Sequence, residues 1–172
     1  MALTSFRLRV WTRFLAPLDE VWRVKTDPDA ISAELEPHFF RIADDSRPLL
    51  SATERPELPV DLGTSFRLYG LLPLAWPTRI EEYEPRRRFT DTCSNALYRH
   101  FRHSHIFEET PDGCRYVDDV VFTPTLPTQK LAAILTRRTF ETRHLNAARL
   151  LPSDPQATGV AVLRVEKREG EE

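Results

Sequence analysis

The residues of this chain best suited to chemistry lie in one stretch. In Phe101-Arg102-His103-Ser104-His105-Ile106-Phe107, aromatic rings and imidazoles fall at every second position. Side chains two apart on a strand share a face. One sheet face would thus carry Phe101, His103, His105 and Phe107, an apolar surface with two polar handles. Imidazoles titrate near neutral pH, so they can hydrogen-bond a ligand carbonyl or hydroxyl, or move a proton. A buried histidine needs a partner. Asp118 is the natural one. The turn signal Thr110-Pro111-Asp112-Gly113 pairs this strand with Cys114 to Phe122, where Asp118 shares a face with Tyr116, Val120 and Phe122. Holding the fold or orienting a ligand is the favoured role for His103, His105 and Asp118. They are also the candidate acid–base groups, and no catalytic residue is assigned.

Two histidines two apart can also bind zinc, given one or two further ligands at about 2 Å. Asp91 or Asp118 could supply a carboxylate. No third histidine occupies an identifiable neighbouring position, so no metal and no cofactor are expected. The bulky groups Phe66, Trp76, Phe89, Phe101, Tyr116 and Phe122 are candidates to line a pocket, about half of them serving as core instead. Trp11 and Trp22 read as core of the first strand and helix, and Tyr69 and Tyr98 are candidates, though not the favoured ones, for hydroxyls at a cavity mouth. The run Arg86-Arg87-Arg88 is offset by Glu81, Glu82 and Glu84, so a solvated turn is expected rather than a nucleic-acid surface. With five glycines in the chain, a phosphate-cradling loop is not expected.

The elements that must position these residues can be read in order. Phe6, Leu8 and Val10 alternate with Arg7 and Arg9, a strand that runs on to Phe14. Pro17-Leu18-Asp19-Glu20 starts a helix, with proline and acids in its first turn. Asp27-Pro28 starts a second, with Asp27 as N-cap, and Pro37 ends it. His38 to Ile42 is a possible strand. Asp44 to Leu62 holds Pro48, Pro56 and Pro59 and reads as a loop with an irregular strand inside it. Short strands follow at Ser65 to Gly70, Thr78 to Glu84, Arg88 to Cys93, Tyr98 to Glu109 and Cys114 to Phe122. Tight turns between them imply an antiparallel meander. Pro124 to Pro127 ends it, and Thr128 to Leu151 is helical in composition. Its apolar residues switch sides, Leu131, Ile134 and Leu135 on one and Phe140, Ala147 and Leu151 nearly opposite. A break near Thr136 to Thr139 is therefore expected. Val160 to Val165 has strand composition.

At 172 residues the chain suits one domain that buries roughly 70% of its unfolded surface. Hydrophobic residues are 41%, charged residues 29%, and the formal net charge is −2. That balance gives no pull toward nucleic acid or anionic lipid. Cys93 and Cys114 make neither a metal spacing nor a disulfide framework. No window approaches the ~20 apolar residues of a membrane span. Met1 to Phe14 lacks the apolar run of a secretory signal, so a cytoplasmic location is expected. Nothing in the sequence speaks to oligomeric state.

The order strand, two short helices, meander, long helix is that of the helix-grip fold. Gly70-Leu71-Leu72-Pro73-Leu74-Ala75-Trp76-Pro77-Thr78-Arg79-Ile80, Arg88-Phe89-Thr90-Asp91, Phe101 to Phe107, Asp118-Asp119-Val120-Val121-Phe122 and Phe140-Glu141-Thr142-Arg143-His144 resemble the SRPBCC superfamily. That superfamily contains START lipid-transfer domains, pollen-allergen-like proteins and polyketide cyclases. The resemblance is nearest to its bacterial single-domain members and covers about residues 3 to 151. Ala96-Leu97-Tyr98 stands where those relatives commonly have Gly-Pro-Tyr, and Phe101 where they often have Trp. The resemblance implies an α+β fold in which a curved antiparallel sheet wraps a long C-terminal helix, enclosing a cavity for lipids, polyketides or other apolar molecules. Residues 1–152 would form the domain, and 153–172 a tail with an extra edge strand at 160–165. Expected ligand contacts are Phe66, Trp76, Phe89, Phe101, His103, His105, Tyr116, Asp118, Phe122 and Phe140. The expected partner is a small apolar or amphipathic molecule, without nucleic acid or stable membrane insertion. The alternative is a cyclase or dehydratase using His103 or His105 with Asp118.

Overall fold

A computed structural model describes residues 4–50, 56–125 and 129–166 of the chain. Strand β1 (Ser5–Phe14) leads into helices α1 (Leu18–Thr26) and α2 (Pro28–Glu34). The Asp27 side chain accepts from the backbone N–H groups of Asp29 and Ala30 at 2.9 and 2.8 Å, and Pro28 occupies the first turn. That is the cap the sequence spells out. Strand β2 (Phe39–Ile42), helix α3 (Arg47–Leu50) and strands β3 (Val60–Leu62), β4 (Thr64–Leu68) and β5 (Leu72–Leu74) follow. The meander is β6 (Thr78–Glu84), β7 (Arg88–Cys93), β8 (Tyr98–Thr110) and β9 (Gly113–Pro124), and helix α4 (Gln129–Leu150) comes after it. A 3-10 turn at Pro155–Ala157 then leads to β10 (Gly159–Glu166).

All strand pairs are antiparallel. The large sheet has the order β10-β1-β9-β8-β7-β6-β3, and a small one has β2-β4-β5. The two longest strands join through Pro111 and Asp112, with Thr110 facing Gly113. Gly113 has φ +149°, and a Cβ there would lie 2.1 Å from the Phe14 carbonyl oxygen. No side chain fits where the turn crosses the end of β1. Register irregularities in the β6–β7 and β8–β9 pairs are the kind that bend a sheet. The sheet curves around α4, and the fold is α+β, a helix grip. The small sheet, α2 and α3 close the other side.

Helix α4 does not break. It is one helix of 22 residues whose buried side carries Ala132, Thr136, Phe140, Arg143, His144 and Ala147. Leu131 and Ile134, which suggested a switch of face, are 54% and 53% exposed. The inward stripe is continuous at i+3 and i+4, but half of it is polar, so hydrophobicity alone does not trace it. Helix α3 lies in a segment expected to be loop, where Leu50 packs into the core. Trp11 also departs from its expected place. Leu8, Val10, Thr12 and Phe14 take the inner face of β1. The alternation puts Trp11 on the outer face, against Gly159 and near the Arg115 guanidinium. Trp22 is core, meeting Tyr83, Phe89 and Phe107 edge-on or tilted. The Met1 start, the Pro127 break, the first helical position Thr128 and the tail beyond Glu166 lie outside the described residues.

Candidate functional site

Between the concave sheet, α4 and the small sheet lies a cavity with about 110 Å³ of room for the centres of water-sized molecules. That is space for roughly four waters at the ~30 Å³ each takes in the liquid. Its walls are mostly apolar, with Ile31, Phe66, Leu74, Ile80 and Phe101 among them. One edge is polar, where Asp91, His103, His105 and Arg143 reach the lining. Of the residues singled out in the sequence, Phe66, Trp76, Phe89, Phe101, His103, His105 and Phe140 are on the wall. Tyr116, Asp118 and Phe122 are buried behind it. Tyr98 lines the cavity, but its hydroxyl is buried against Thr136 Oγ1 at 2.8 Å, while Tyr69 is exposed on the β4–β5 turn.

The polar edge is set by strand register. Asp91 lies opposite His103, and Asp118 opposite His105. The shortest His–Asp contacts run diagonally. His103 Nε2 is 2.8 Å from Asp118 Oδ1, and His105 Nε2 is 2.9 Å from Asp91 Oδ2. His103 Nδ1 also faces Asp91 Oδ2 at 3.4 Å. The rings of His103 and His105 lie 3.8 Å apart, and His105 stacks on Phe89.

Asp118 is the hub, and it is fully buried. Its Oδ1 accepts from His103 Nε2 and from the Tyr116 hydroxyl. Its Oδ2 accepts from His144 Nε2 at 3.0 Å and faces Arg143 Nη1 at 3.5 Å. His144 Nδ1 in turn takes the hydroxyl of Thr12 at 2.8 Å. Behind these, Arg143 Nε donates to Glu34 Oε2 at 3.1 Å, and Lys25 Nζ pairs with Glu34 Oε1 at 2.8 Å. Both members of the lysine pair are fully buried.

Burial alone would raise the Asp118 carboxyl, but Arg143, His103 and the hydrogen bonds of His103 and His144 hold it well below the usual carboxylate range. Asp91 is likewise held low against its burial, by His103 and His105. Desolvation, reinforced by His103, lowers His105 to about 3, so this ring is neutral. His144 is lowered chiefly by desolvation. Burial raises the Tyr116 hydroxyl well above its ordinary value, leaving it a donor at neutral pH. The result is a fixed polar cluster, ionised at the carboxylates, with three uncharged or donor groups aimed at them.

His144, Arg143, Glu34, Lys25 and His38 were not picked out from the sequence. Arg143 and His144 had a signal, since they share a helical stripe with Phe140 and Ala147. Glu34 and Lys25 gave none beyond helical position. His38 bridges the small sheet to α4, accepting from Tyr69 N–H at 3.0 Å and meeting Thr139 Oγ1 at 3.1 Å.

One ligand atom each from Asp91, His103 and His105 lie within 4.8 Å of one another, a set able to hold a metal ion. No helix among the described residues is long and apolar enough to cross a membrane.

A family model for a domain of unknown function (DUF8410) matches residues 12–151. The chain belongs to this family. The DUF8410 match spans the end of β1, strands β2 to β9 and helices α1 to α4, and with them every residue of the polar cluster. No curated protein matches in sequence. Among solved structures, protein CV1439 from Chromobacterium violaceum is similar with a TM-score of 0.65 at 15% identity, covering 86% of this chain and 98% of its own. Protein Ms6760 from Mycobacterium smegmatis gives 0.62 at 15% identity, covering 84% and 89%. The Zhui aromatase/cyclase from Streptomyces sp. R1128 gives 0.60 at 12% identity, covering 84% and 90%. At such identities the likeness is one of fold, and this DUF8410 domain shares the architecture of all three.

Proposed function

We propose that this protein belongs to the SRPBCC superfamily and binds a small, flat, largely apolar molecule between the sheet and α4. Residues 1–152 would be the binding domain, and 153–172 a tail whose strand extends the sheet edge. One observation carries the reading: the cavity wall is mostly apolar, with Thr64, Thr78, Thr136 and Thr139 set among the apolar groups, and its ionisable side chains Asp91, His103, His105 and Arg143 gather at one edge. Apolar walls give affinity by burial, and a few fixed polar groups give orientation. Phe66, Trp76, Phe89, Phe101 and Phe140 would clasp the guest, while His103 and His105 accept from its hydroxyl. Tyr116, Asp118 and Phe122 would act from behind by fixing those side chains. At about 110 Å³ the room is somewhat smaller than a ~150 Å³ cavity that takes up benzene, so a single-ring aromatic alcohol fits better than a long acyl chain.

The test is fluorescence titration with an environment-sensitive apolar dye, followed by competition with phenol and with a long-chain fatty acid. Saturable one-to-one enhancement is expected, with displacement by the phenol at the lower concentration. Leu74→Trp, which fills the cavity, should abolish both. Unchanged dye emission in folded wild-type protein would end this reading.

A second reading has its own support. His103 reaches the cavity while its Nε2 touches an ionised carboxylate at 2.8 Å. A carboxylate that fixes the tautomer of a ligand-facing imidazole is the arrangement of an acid–base pair. A cyclase or dehydratase acting on a polyketide-like ketone would use it. Incubating the protein with a β-polyketone and following products by mass would test this. Turnover that survives in His103→Gln and His105→Gln would count against these residues.

A further inference from the structure

The donors around the polar edge can be counted. Asp118 is ionised and only accepts, so its contacts must donate. His103 therefore carries its proton on Nε2, toward Asp118 Oδ1. The Tyr116 hydroxyl has one proton, and it goes to the same carboxylate. The Tyr116 oxygen can then only accept from His105 Nδ1, 2.7 Å away, so His105 carries its proton on Nδ1. These assignments follow from donor and acceptor inventories. Where neither imidazole is doubly protonated, His103 Nδ1 and His105 Nε2 are bare lone pairs. Both face Asp91 Oδ2, at 3.4 and 2.9 Å. Reversing the His105 tautomer only moves the conflict to the Tyr116–Asp118 contact.

Three acceptors thus converge with no hydrogen between them, at the wall of a cavity. A single added proton bridges one nitrogen to Asp91 and leaves the other bare. A cation bound by all three relieves the whole set. Ligands about 2.0–2.2 Å from one ion, at angles between octahedral and tetrahedral, stand roughly 3.0–3.5 Å apart, close to the two separations seen. The surroundings are also those of a metal site, because each ligand histidine donates its far nitrogen outward. His103 donates to Asp118 and His105 to Tyr116, which itself donates to Asp118. With Asp91 and Asp118 both held low as carboxylates and the Arg143 guanidinium beside Asp118, the immediate surroundings of the three acceptors carry a net negative charge.

We propose that Asp91 Oδ2, His103 Nδ1 and His105 Nε2 bind one divalent transition-metal ion, with its remaining coordination positions open to the cavity. Two imidazoles and one carboxylate suit ions of the zinc, cobalt and iron(II) type over magnesium or calcium. A guest bearing a carbonyl or hydroxyl would reach the ion directly. The ion site does not depend on the guest-binding reading, since it can be measured without any guest.

The test uses the full chain, stripped with chelator and dialysed against Co²⁺, with metal content measured and visible absorption reporting coordination by nitrogen and oxygen. One Co²⁺ per chain is expected, displaceable by Zn²⁺ and not by Mg²⁺. Asp91→Asn and His105→Gln, checked as folded by circular dichroism, should each weaken binding by more than about tenfold, and Asp118→Asn by about ten- to a hundredfold. Wild-type protein gives a readout independent of any variant, because Co²⁺ should shift the ring-proton resonances of His103 and His105 paramagnetically. Folded wild-type protein that takes up neither Co²⁺ nor Zn²⁺ would overturn the proposal. So would uptake that leaves these resonances unmoved, or that Asp91→Asn and His105→Gln do not weaken.

Discussion

Replacing Asp118 by asparagine removes one charge and turns one acceptor into a donor, with almost no change of shape. The carboxylate takes two donors on Oδ1, from His103 and Tyr116, and on Oδ2 takes His144 with Arg143 beside it. An asparagine oxygen can serve only one of these pairs. Its NH2 must face the other, donor against donor. If it faces His144 and Arg143, one charge-assisted bond worth about 1.5–3 kcal/mol is lost, and Arg143 keeps only Glu34 as a counter-charge. If it faces His103 and Tyr116, two bonds are lost. Uncompensated buried charge costs about 3–5 kcal/mol when one partner of a pair is removed. The group is wholly buried, so solvent does not screen the loss. At about 2–4 °C per kcal/mol for a chain of this size, the melting temperature at pH 7 should fall by about 6–20 °C. Thermal scans by circular dichroism and urea titration should agree on the deficit. A melting temperature within 2 °C of wild type would refute the reasoning, because it would mean that the four donors do not depend on an ionised Asp118.

Three further outcomes follow from the same geometry. His144 is lowered by desolvation in the folded state while its unfolded value is about 6.5. The unfolded chain thus binds the extra proton first, so this contribution is fully present above about pH 6.5 and is lost as pH falls toward the folded value. Urea titrations between pH 7 and pH 5 should show stability dropping by up to about 1.4 kcal/mol per pH unit from this group, and His144→Gln should flatten the slope. Burial pushes the thiols of Cys93 and Cys114 up to about 12 and about 11. A thiol reagent at pH 8 should therefore label neither in native protein and both after unfolding, whereas prompt native labelling would show an open interior. Phe101→Ala removes a ring that contacts Trp76, Tyr98 and Phe140. It should cost about 3 kcal/mol, the low end for such a truncation because the ring already borders a cavity. It should also admit guests larger than phenol, as read by dye competition.

The fold was legible because its signals were local. Asp27-Pro28 spells a cap, Thr110 to Gly113 spells a hairpin, and strict alternation in Phe101 to Phe107 assigns the inner face before any partner is known. Pairing then followed from the hairpin alone, which is why Asp118 could be named as a histidine neighbour. Asp91 was harder to read. It sits on the inner face only because β7 pairs with β8 in one register, and no turn signal of comparable strength sets that register. Phe66 and Trp76 were read as pocket residues from their bulk alone. The small sheet that carries Phe66 depends on pairing of β2 with β4 across a proline-rich segment, which has no local signature.

What escaped was the polar side of α4, and the reason is physical. A helix against a sheet is normally traced by its apolar stripe, yet here the stripe is interrupted by Thr136, Arg143 and His144 while Leu131 and Ile134 face outward. Each inward polar group is tolerable only because something far away in sequence satisfies it. Thr136 bonds to Tyr98 and to Ala132, His144 to Thr12 and Asp118, and Arg143 to Glu34. No window of sequence contains both halves of the four long-range contacts. Burying so many charges and imidazoles is a poor way to stabilise a core, since apolar residues of similar volume commonly do as well or better. Stability alone therefore does not account for the cluster. Its one edge that reaches the cavity is Asp91, His103, His105 and Arg143, so the whole buried network, from Lys25 to Asp118, is best understood as the support that holds those four groups rigid against whatever enters.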